Sequence, residues 1–590
     1  MVTLTSTATN IVRTQKTGPV GNFSFDLIPP GDYRLEVEAP GFQKALLESI
    51  HALVATPSDL NVVLRVGSTT QTVEVIAENA AVQVNTQDSS LGNTMVSTQI
   101  EQLPLEARNV LSLLSLQPGV TKDGYVAGGR MDQSNVTLDG VDINDAEKNQ
   151  AGPDTLDSST SASPIAGPVL RVNADAIEEF RLSTVSSNSS GGRSSGAQIQ
   201  LVSKSGSDRF RGTLSEFHRN TIFEANDWFN NHNGIPRPAL IRNTFGPSFG
   251  GPIIKDKFFF FYSYEGRRDG SQTPTSPNTV PLPSLAQGIV KFKDSNSNFQ
   301  QINAADIANI FPDTGGVNPA ALAALAQGAK FAANSNAVGD GLNTAGNVFN
   351  APVPVHLNSH SLRLDYTLNQ NQQLFVRTNV IYDHVPQAAT FATNKTPIIW
   401  SHPWGLAVGH TWAISSNLVN NFRYGMTRQA VTSGGELSGN LGYFRLVYQP
   451  VNFGSTAYDS SRTTPVNNFV DDMSWTRGRH TLQFGANIET ISNGSLNFSN
   501  SFDTATTNPS GYKTNLLINA INQYLSDNRG YKVASNYKSS VENAVTALIG
   551  RYTQYTANFL FNRDGSLLNP GAPTRRTFAT QGYEGYIQDV

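Results

Sequence analysis

The feature that most constrains the fold is a repeated alternation of apolar and polar side chains across residues 206–590. Within Ser361–Leu368, for example, Leu362 and Leu364 alternate with Arg363. Alternate residues of a β-strand point to opposite faces of its sheet. Similar runs lie near residues 209–218, 257–266, 373–382, 404–413, 417–427, 468–476, 479–489, 550–556 and 581–588. Segments of about ten residues with this period are typical of transmembrane β-barrels.

The lengths of the connections favour a barrel over a soluble β protein, whose strands also alternate. Asn369–Gln372 and Thr476–Arg479 have the length of hairpin turns, whereas Gln272–Pro354 and Thr490–Val545 span tens of residues. Connections that long are uncommon inside compact soluble domains. Short turns that alternate with long loops match the two ends of an outer-membrane barrel. We therefore predict a transmembrane antiparallel β-barrel.

The residues before the barrel region predict two smaller units. In residues 1–66, Tyr33, Leu35 and Val37 alternate with charged residues after a Pro-Pro-Gly-Asp turn, which is typical of a small β-sandwich. Residues 71–205 predict an α+β unit. Its predicted elements are a helix over Ile100–Leu116 and strands over Asn135–Val141, Ile177–Val185 and Ala197–Ser203.

Composition excludes several classes of function. The chain has no cysteine, which excludes a disulfide framework, a thiol nucleophile and a Cys-ligated metal centre. Its net charge of -4 gives no electrostatic footprint for nucleic acid. Gly192–Gly196 matches the G-x-S-x-G pattern but lacks the strand-to-helix context that a nucleophile requires. The spacing of Asp139, Asp142 and Asp145 fails the calcium-loop pattern and is typical of a polar turn. We expect no catalytic residue, no metal site and no cofactor.

Several motifs resemble those of one family of membrane receptors. Asn22–Phe42 resembles the carboxypeptidase regulatory-like module, a β-sandwich of the carbohydrate-binding-like folds. Gln102–Val120 and Val136–Asp145 resemble the plug of TonB-dependent receptors, as do the shorter Ile177–Arg181, Gly192–Gly196 and Val202–Gly206. Phe249–Phe261 and Trp475–Gly485 are similar to the first part of an Oar-like barrel. The chain is therefore identified as a member of the TonB-dependent receptors of the Oar-like type.

This resemblance implies a mostly β fold in three parts. They are an incomplete regulatory-like β-sandwich over residues 1–68, a TonB box with an α+β plug domain over 69–205, and the N-terminal part of a barrel over 206–590. The whole barrel of such receptors has 22 strands, of which about ten or eleven are expected here. Gly585–Val590 looks like the opening of a further strand. We therefore expect a fragment of a longer receptor.

The resemblance also implies partners and site residues. Thr72, Val73, Glu74, Val75, Ile76 and Ala77 resemble a TonB box, which would bind TonB by strand addition. Arg181 and Arg193 are candidates for plug residues that face barrel carboxylates, because a guanidinium suits bidentate pairing. The other expected partners are outer-membrane lipid and an extracellular ligand, with carbohydrate slightly favoured.

Three functions are compatible with this sequence. The first is TonB-dependent uptake of a large ligand, such as a siderophore, an oligosaccharide or a peptide, across the outer membrane. The second is a barrel-anchored surface adhesin or matrix-binding protein that does not transport. The third is a soluble secreted glycan-binding protein, which would require the strands after residue 206 to form a two-sheet core.

Overall fold

The structure is a computed structural model of the 590-residue chain. It describes residues 1–18, 21–54, 56, 58–67, 72–74, 91–103, 108, 110–121, 125, 126, 128, 129, 133–146, 168–185, 191, 192, 194, 196–392, 398–434, 444–448, 460–478, 480–498, 500–507, 509, 515–550, 552, 554–569 and 571–589. Three parts follow one another along the chain, and we call them the module, the plug and the barrel.

The module is a five-stranded sheet. Its strands are β1 (Val2–Ser6), β2 (Val12–Gln15), β3 (Gly31–Val37), β4 (Lys44–Ala52) and β5 (Thr72–Glu74). They lie in the order β2-β1-β3-β4-β5, with β5 parallel to β4. Leu35 and Val37 are buried, as the alternation predicts. Arg34 and Glu36, which alternate with them, form an ion pair outside the core. The sheet therefore packs one apolar face.

The plug is a second five-stranded sheet with a short helix. Its elements are β6 (Leu91–Val96), α1 (Ser97–Gln102), a 3₁₀ turn (Val110–Leu116), β7 (Asn135–Leu138), β8 (Val141–Asp142), β9 (Ile177–Val185) and β10 (Gln198–Ser203). The order is β6-β9-β10-β7-β8. The prediction of one helix over Ile100–Leu116 is wrong, because Leu103 is extended (ψ 137°). Leu103 precedes Pro104, and a residue before proline disfavours the helical region.

The remaining strands build the barrel wall and its loops. They are β11 (Arg211–Asn220), β12 (Leu240–Ile254), β13 (Phe258–Pro274), β14 (Asn278–Pro281), β15 (Val290–Lys293), β16 (Phe299–Ile302), β17 (Ser335–Gly339), β18 (Thr344–Asn347), β19 (Asn350–Pro352), β20 (Val355–Asn369), β21 (Gln372–Ile381), β22 (Asp383–Pro386), β23 (Ile398–Ser401), β24 (Trp404–Ser415), β25 (Leu418–Gly434), β26 (Phe444–Tyr448), β27 (Ser460–Arg477), β28 (His480–Asn497), β29 (Asp503–Thr507), β30 (Gln554–Thr556) and β31 (Thr574–Asp589). The helices are α2 (Trp228–His232), α3 (Pro283–Ala286), α4 (Ala304–Ile310), α5 (Pro319–Gly328), α6 (Leu516–Arg529) and α7 (Lys538–Ile549).

The wall is an antiparallel sheet in the order β11-β12-β13-β20-β21-β24-β25-β27-β28-β31. The connections at residues 255–257, 370–371, 416–417 and 478–479 are short, and we call this edge of the wall the short-turn end. The connections at the opposite edge are long, and we call it the long-loop end. This asymmetry confirms the prediction made from connection lengths. Among the described residues, no helix is both long and apolar enough to cross a membrane.

At the long-loop end, two loops that are distant in sequence share one hydrophobic core. The first loop joins β13 to β20 and the second joins β28 to β31. Leu285, Phe292 and Ile307 of the first loop are packed with Ile521 and Val545 of the second, and all five are fully buried. We call this unit, built around α3 to α7, the loop domain.

The plug–barrel interface as candidate functional site

The turn between β7 and β8 directs a carboxylate at the barrel wall. Asp139 (φ 52°) and Gly140 (φ 74°) both have positive φ, the conformation of a tight Asp-Gly hairpin turn. Asp139 Oδ1 lies 2.9 Å from Arg363 Nη1, and Asp139 Oδ2 lies 2.8 Å from Arg377 Nε. Ser203 donates its backbone N–H (2.9 Å) and hydroxyl (2.8 Å) to the same carboxylate. One plug aspartate thus binds arginines of two adjacent wall strands.

A second plug carboxylate makes a bidentate pair with the wall. Arg462 of β27 donates from Nη1 to Asp145 Oδ1 at 2.7 Å and from Nη2 to Asp145 Oδ2. Asp145 is 7% exposed, so the pair is largely desolvated. Two parallel N–H···O bonds fix orientation as well as distance. This pair therefore holds the end of the β7–β8 hairpin in one position.

Elsewhere the polarity is reversed, and the plug supplies the arginines. Arg171 donates to both oxygens of Asp383, at 3.0 and 2.9 Å. Arg108 lies 2.7 Å from Asp175 within the plug and 3.0 Å from Glu265 on β13. Charges of both signs on the wall are therefore matched by opposite charges on the plug.

Wall glycines make room for apolar plug side chains between these pairs. A Cβ atom on Gly425 would overlap Val141, and one on Gly405 would overlap Leu170. Gly405 lies on β24 and Gly425 on β25, and each faces the plug. The wall is thus shaped to this plug at the level of single side chains.

Arg181 lies at a different boundary from the one predicted. It is 7% exposed, and its described hydrogen bonds go to the carbonyl of Val54 (3.4 Å) and the hydroxyl of Thr56. Its neighbour Glu179 accepts the N–H of Val54 at 2.8 Å. Burial raises the pKa of the Glu179 carboxyl to about 7, against the lowering effect of that hydrogen bond. Arg181 and Glu179 thus join the plug to the end of the module, and a role for Arg181 toward the barrel stays a prediction.

The other predicted site residues are only partly described. Thr72–Glu74 form β5, which pairs with Lys44–Leu46 of β4. Val75, Ile76, Ala77 and Arg193 lie outside the described residues. Gly192, the neighbour of Arg193, lies near Glu584 on β31. The TonB-box segment and the Arg193 contact therefore stay predictions.

Sequence reasoning missed the residues that hold the plug. It named plug arginines and treated Asp139 and Asp145 as a polar turn, yet both aspartates bind wall arginines. A signal was present in the alternation, because Arg363 and Arg377 occupy inward positions on consecutive strands. Arginines on the inner face of the wall can take acceptors from the plug as well as from the wall, and Arg363 has both, in Asp139 and Asp365. Within the described ranges, no group of three or more His, Asp or Glu side chains is placed to hold a metal ion.

Comparison with known proteins identifies two of the three parts. Residues 202–590 match the family model described as outer membrane beta barrel domain, and residues 1–65 match the carboxypeptidase regulatory-like domain. The chain is 24% identical over 284 residues to the TonB-dependent transporter Oar of Myxococcus xanthus. That alignment covers 45% of this chain and 25% of the Oar protein. The resemblance to TonB-dependent receptors of the Oar type is thereby confirmed.

Partial matches among solved structures include an outer-membrane transporter and a siderophore receptor. The transporter YddB from Escherichia coli is 14% identical, with a TM-score of 0.45 over 72% of this chain and 51% of YddB. The siderophore receptor PirA from Acinetobacter baumannii is 12% identical, with a TM-score of 0.40 over 70% of this chain and 49% of PirA. The chain thus spans about half the length of these structures and a quarter of the curated relative. Because the family model matches more than half of its residues, the chain belongs to the outer-membrane β-barrel family and is located in the outer membrane.

Proposed function

We propose that this chain is part of a TonB-dependent receptor that takes up a large ligand across the outer membrane. The observation that carries the proposal is the contrast between the plug's interior and its surface. Among the described residues, the buried apolar core of the plug is drawn from residues 95–201, with Phe261 and Ile381 as the two contributions from the wall. A plug with its own core can shift inside the barrel as a folded unit.

The polar interface suits such a movement. Charged and polar groups that leave the wall can bind water or the passing ligand, whereas an apolar interface would expose oily surface. A buried charge that loses its partner is costly, so the ion pairs hold the plug in the wall until energy is supplied. The interface therefore favours a closed resting state that opens when energy is supplied.

The energy would come from TonB through the segment Thr72–Ala77. Strand addition uses main-chain hydrogen bonds, and β5 already has the extended conformation that this requires. The ligand would first bind at the long-loop end. A siderophore, an oligosaccharide and a peptide are all candidates; the siderophore receptors among the similar folds favour the first, and the regulatory-like module favours the second.

An uptake experiment tests the proposal. Cells that express the full-length receptor, with or without TonB, are given labelled ferric catecholate, labelled maltooligosaccharides or labelled oligopeptides. We expect one class to bind in both strains and to accumulate only where TonB is present. Equal accumulation in the two strains for every class would contradict energy-coupled transport by this receptor.

A surface adhesin is the second candidate, and the loop domain is the observation that favours it. Two loops joined by a shared core present a rigid surface outside the membrane, which is what a stable binding site requires. In the same experiment, an adhesin would retain a probe at the surface in both strains and accumulate it in neither.

A further inference from the structure

The module touches the wall at its short-turn end, and the contacts follow the order of the strands. Asn10 donates its amide to Asp256, in the turn between β12 and β13, at 3.1 Å. Arg13 on β2 donates from Nη2 to Gln373, at the start of β21, at 3.2 Å. Edge strand β2 and the turn before it thus begin to line this end of the barrel.

The same series continues across the next two hairpins. Gln15 donates its amide to the carbonyl of Ser416, between β24 and β25, at 2.6 Å. Asn22 donates its amide to the carbonyl of Gly478, between β27 and β28, at 2.9 Å. Module residues therefore bind the wall at or beside four successive short connections, and we call these four contacts the rim contacts.

A cavity of about 930 Å³ lies between the module, the plug and the wall. Its lining includes Tyr33 of the module, Lys204 of the plug and Arg211, Arg363 and Thr411 of the wall. All three parts contribute, so the cavity would be open to solvent if the module were displaced. On the proposed route of uptake, a ligand that passes the plug would enter this space.

The rim contacts are weaker in kind than those that hold the plug. Each rim contact is a single hydrogen bond, and those of Asn10, Gln15 and Asn22 are exposed to solvent. The plug is held by bidentate, largely buried ion pairs such as Arg171 with Asp383. Two parallel hydrogen bonds between opposite charges are harder to separate than one exposed hydrogen bond, for which water competes. A load shared between the two sets would therefore release the rim contacts first.

The sheet order connects the TonB-box candidate to the rim. In the sequence β5-β4-β3-β1-β2, strand β5 (Thr72–Glu74) occupies one edge, and β2, which carries Arg13 and Gln15, occupies the other. A strand added to β5 would extend this sheet. A pull on that strand would be applied to the module.

We propose that the regulatory-like module is a gate over the periplasmic end of the barrel, and that a pull on β5 opens it by releasing the rim contacts. This inference rests on the proposed function, because it assigns the first step of energy-coupled transport to the module. In the closed state the module covers the cavity below the plug. Opening removes this cover before the ion pairs of the plug are disturbed.

Two measurements on the full-length receptor test the gate. In nanodiscs, Thr411→Cys reports on the cavity through its rate of reaction with a polyethylene-glycol maleimide, which is specific because the chain has no cysteine. Replacing Asn10, Gln15 and Asn22 together by alanine should speed this reaction, while replacing the exposed Glu48 of β4 should not. An unchanged rate in the triple variant, with the barrel shown to be folded by heat-modifiable migration, would overturn the gate without reference to TonB.

The second measurement applies force through TonB itself. The C-terminal domain of TonB on a cantilever pulls the receptor in a supported bilayer, before and after a short bismaleimide joins Gln15→Cys to Ser416→Cys. The first extension step should be lost in the linked receptor and retained in a control linked within the module, at Thr3→Cys and Thr14→Cys on facing positions of β1 and β2. If TonB adheres and the curves are identical, the gate is wrong and the proposed function stands. If TonB never adheres, both fail.

Discussion

The plug and the loop domain both have a buried apolar core, but they are assembled in opposite ways. Apart from Phe261 and Ile381 of the wall, the described core of the plug comes from one stretch of chain, residues 95–201. The plug meets the wall through ion pairs and hydrogen bonds such as those of Asp139 and Arg171. The loop-domain core combines two loops, so that Leu285 is packed with residues more than two hundred positions away, such as Val545. The plug is therefore a unit that can separate from the barrel wall, whereas the loop domain joins two loops of the barrel to each other.

This difference predicts that the plug and the loop domain move in different ways. Polar contacts can be exchanged for water one at a time, so the plug can leave its seat and keep its fold. An apolar core shared by two loops is lost as a whole when either loop withdraws. We therefore expect ligand-binding loops that move together and a plug that moves alone.

The largest effect is expected at Asp139, which tests the claim that ion pairs hold the plug in the wall. Asp139→Ala leaves Arg363 and Arg377 facing the plug without their shared acceptor, although Arg363 keeps Asp365 at 2.9 Å. Removing one partner of a buried pair costs about 3–5 kcal/mol. The plug of the full-length receptor should become sensitive to protease at a lower urea concentration than in the wild type.

Glu48→Ala, at an exposed position of β4 in the module, is the control and should leave the urea midpoint unchanged. If Asp139→Ala also leaves the midpoint unchanged, the ion pairs do not hold the plug. The comparison would then have to rest on the packing of Val141 and Leu170 against wall glycines.

The alternation of the barrel strands was readable because it is local. It placed Arg363 on the face opposite to Leu362 and Leu364, and this is the face that meets the plug. It also predicted short turns at one end and long loops at the other. Each of these features depends on side-chain spacing within about ten residues or on the length of one connection. The barrel and its polarity could therefore be predicted from the sequence.

The contacts between parts could not be read in this way. Asp139 and Arg363 are 224 positions apart, and nothing local to either selects the other. The prediction that Arg181 and Arg193 pair with barrel carboxylates stays a prediction, and the described plug arginines that make such pairs are Arg108 and Arg171. Which arginine reaches the wall depends on how the plug is oriented inside it, and that is a property of the whole assembly.

The next effect sharpens the claim that two loops move together. Leu548 on α7 is fully buried in the loop domain, and its carbonyl accepts the N–H of Asn318 from the other loop at 2.8 Å. Leu548→Ala should cost the loop domain about 2–4 kcal/mol through the cavity it creates. Hydrogen exchange should then rise in both loops, including α5 (Pro319–Gly328), although only the second is substituted.

Leu516→Ala, at a position 50% exposed on the same loop, is the control and should change exchange in neither loop. Faster exchange after Leu548→Ala that stays within the second loop would show that the shared core does not couple them. The exchange of plug strands β9 and β10 should be unaffected in both variants, because the plug core is separate.

The smallest effect concerns the boundary between plug and module, where Glu179 lies. Burial raises the pKa of Glu179 to about 7, from an ordinary value of 4.5. Between these two values the folded protein holds a proton that the unfolded chain has lost, so stability is greatest at low pH and falls as the pH rises toward 7.

Glu179→Gln removes this titration and keeps an oxygen that can accept the N–H of Val54. At pH 8 the variant should hold the junction between module and plug more tightly by about 1–3 kcal/mol, and at pH 5 the difference should shrink to less than about 1 kcal/mol. Hydrogen exchange at Val54, corrected for intrinsic rates, measures this, with the exposed Glu48→Gln as control. A wild-type junction whose protection is the same at pH 5 and pH 8 would show that Glu179 stays ionised there, and that this boundary of the plug resembles the one with the barrel.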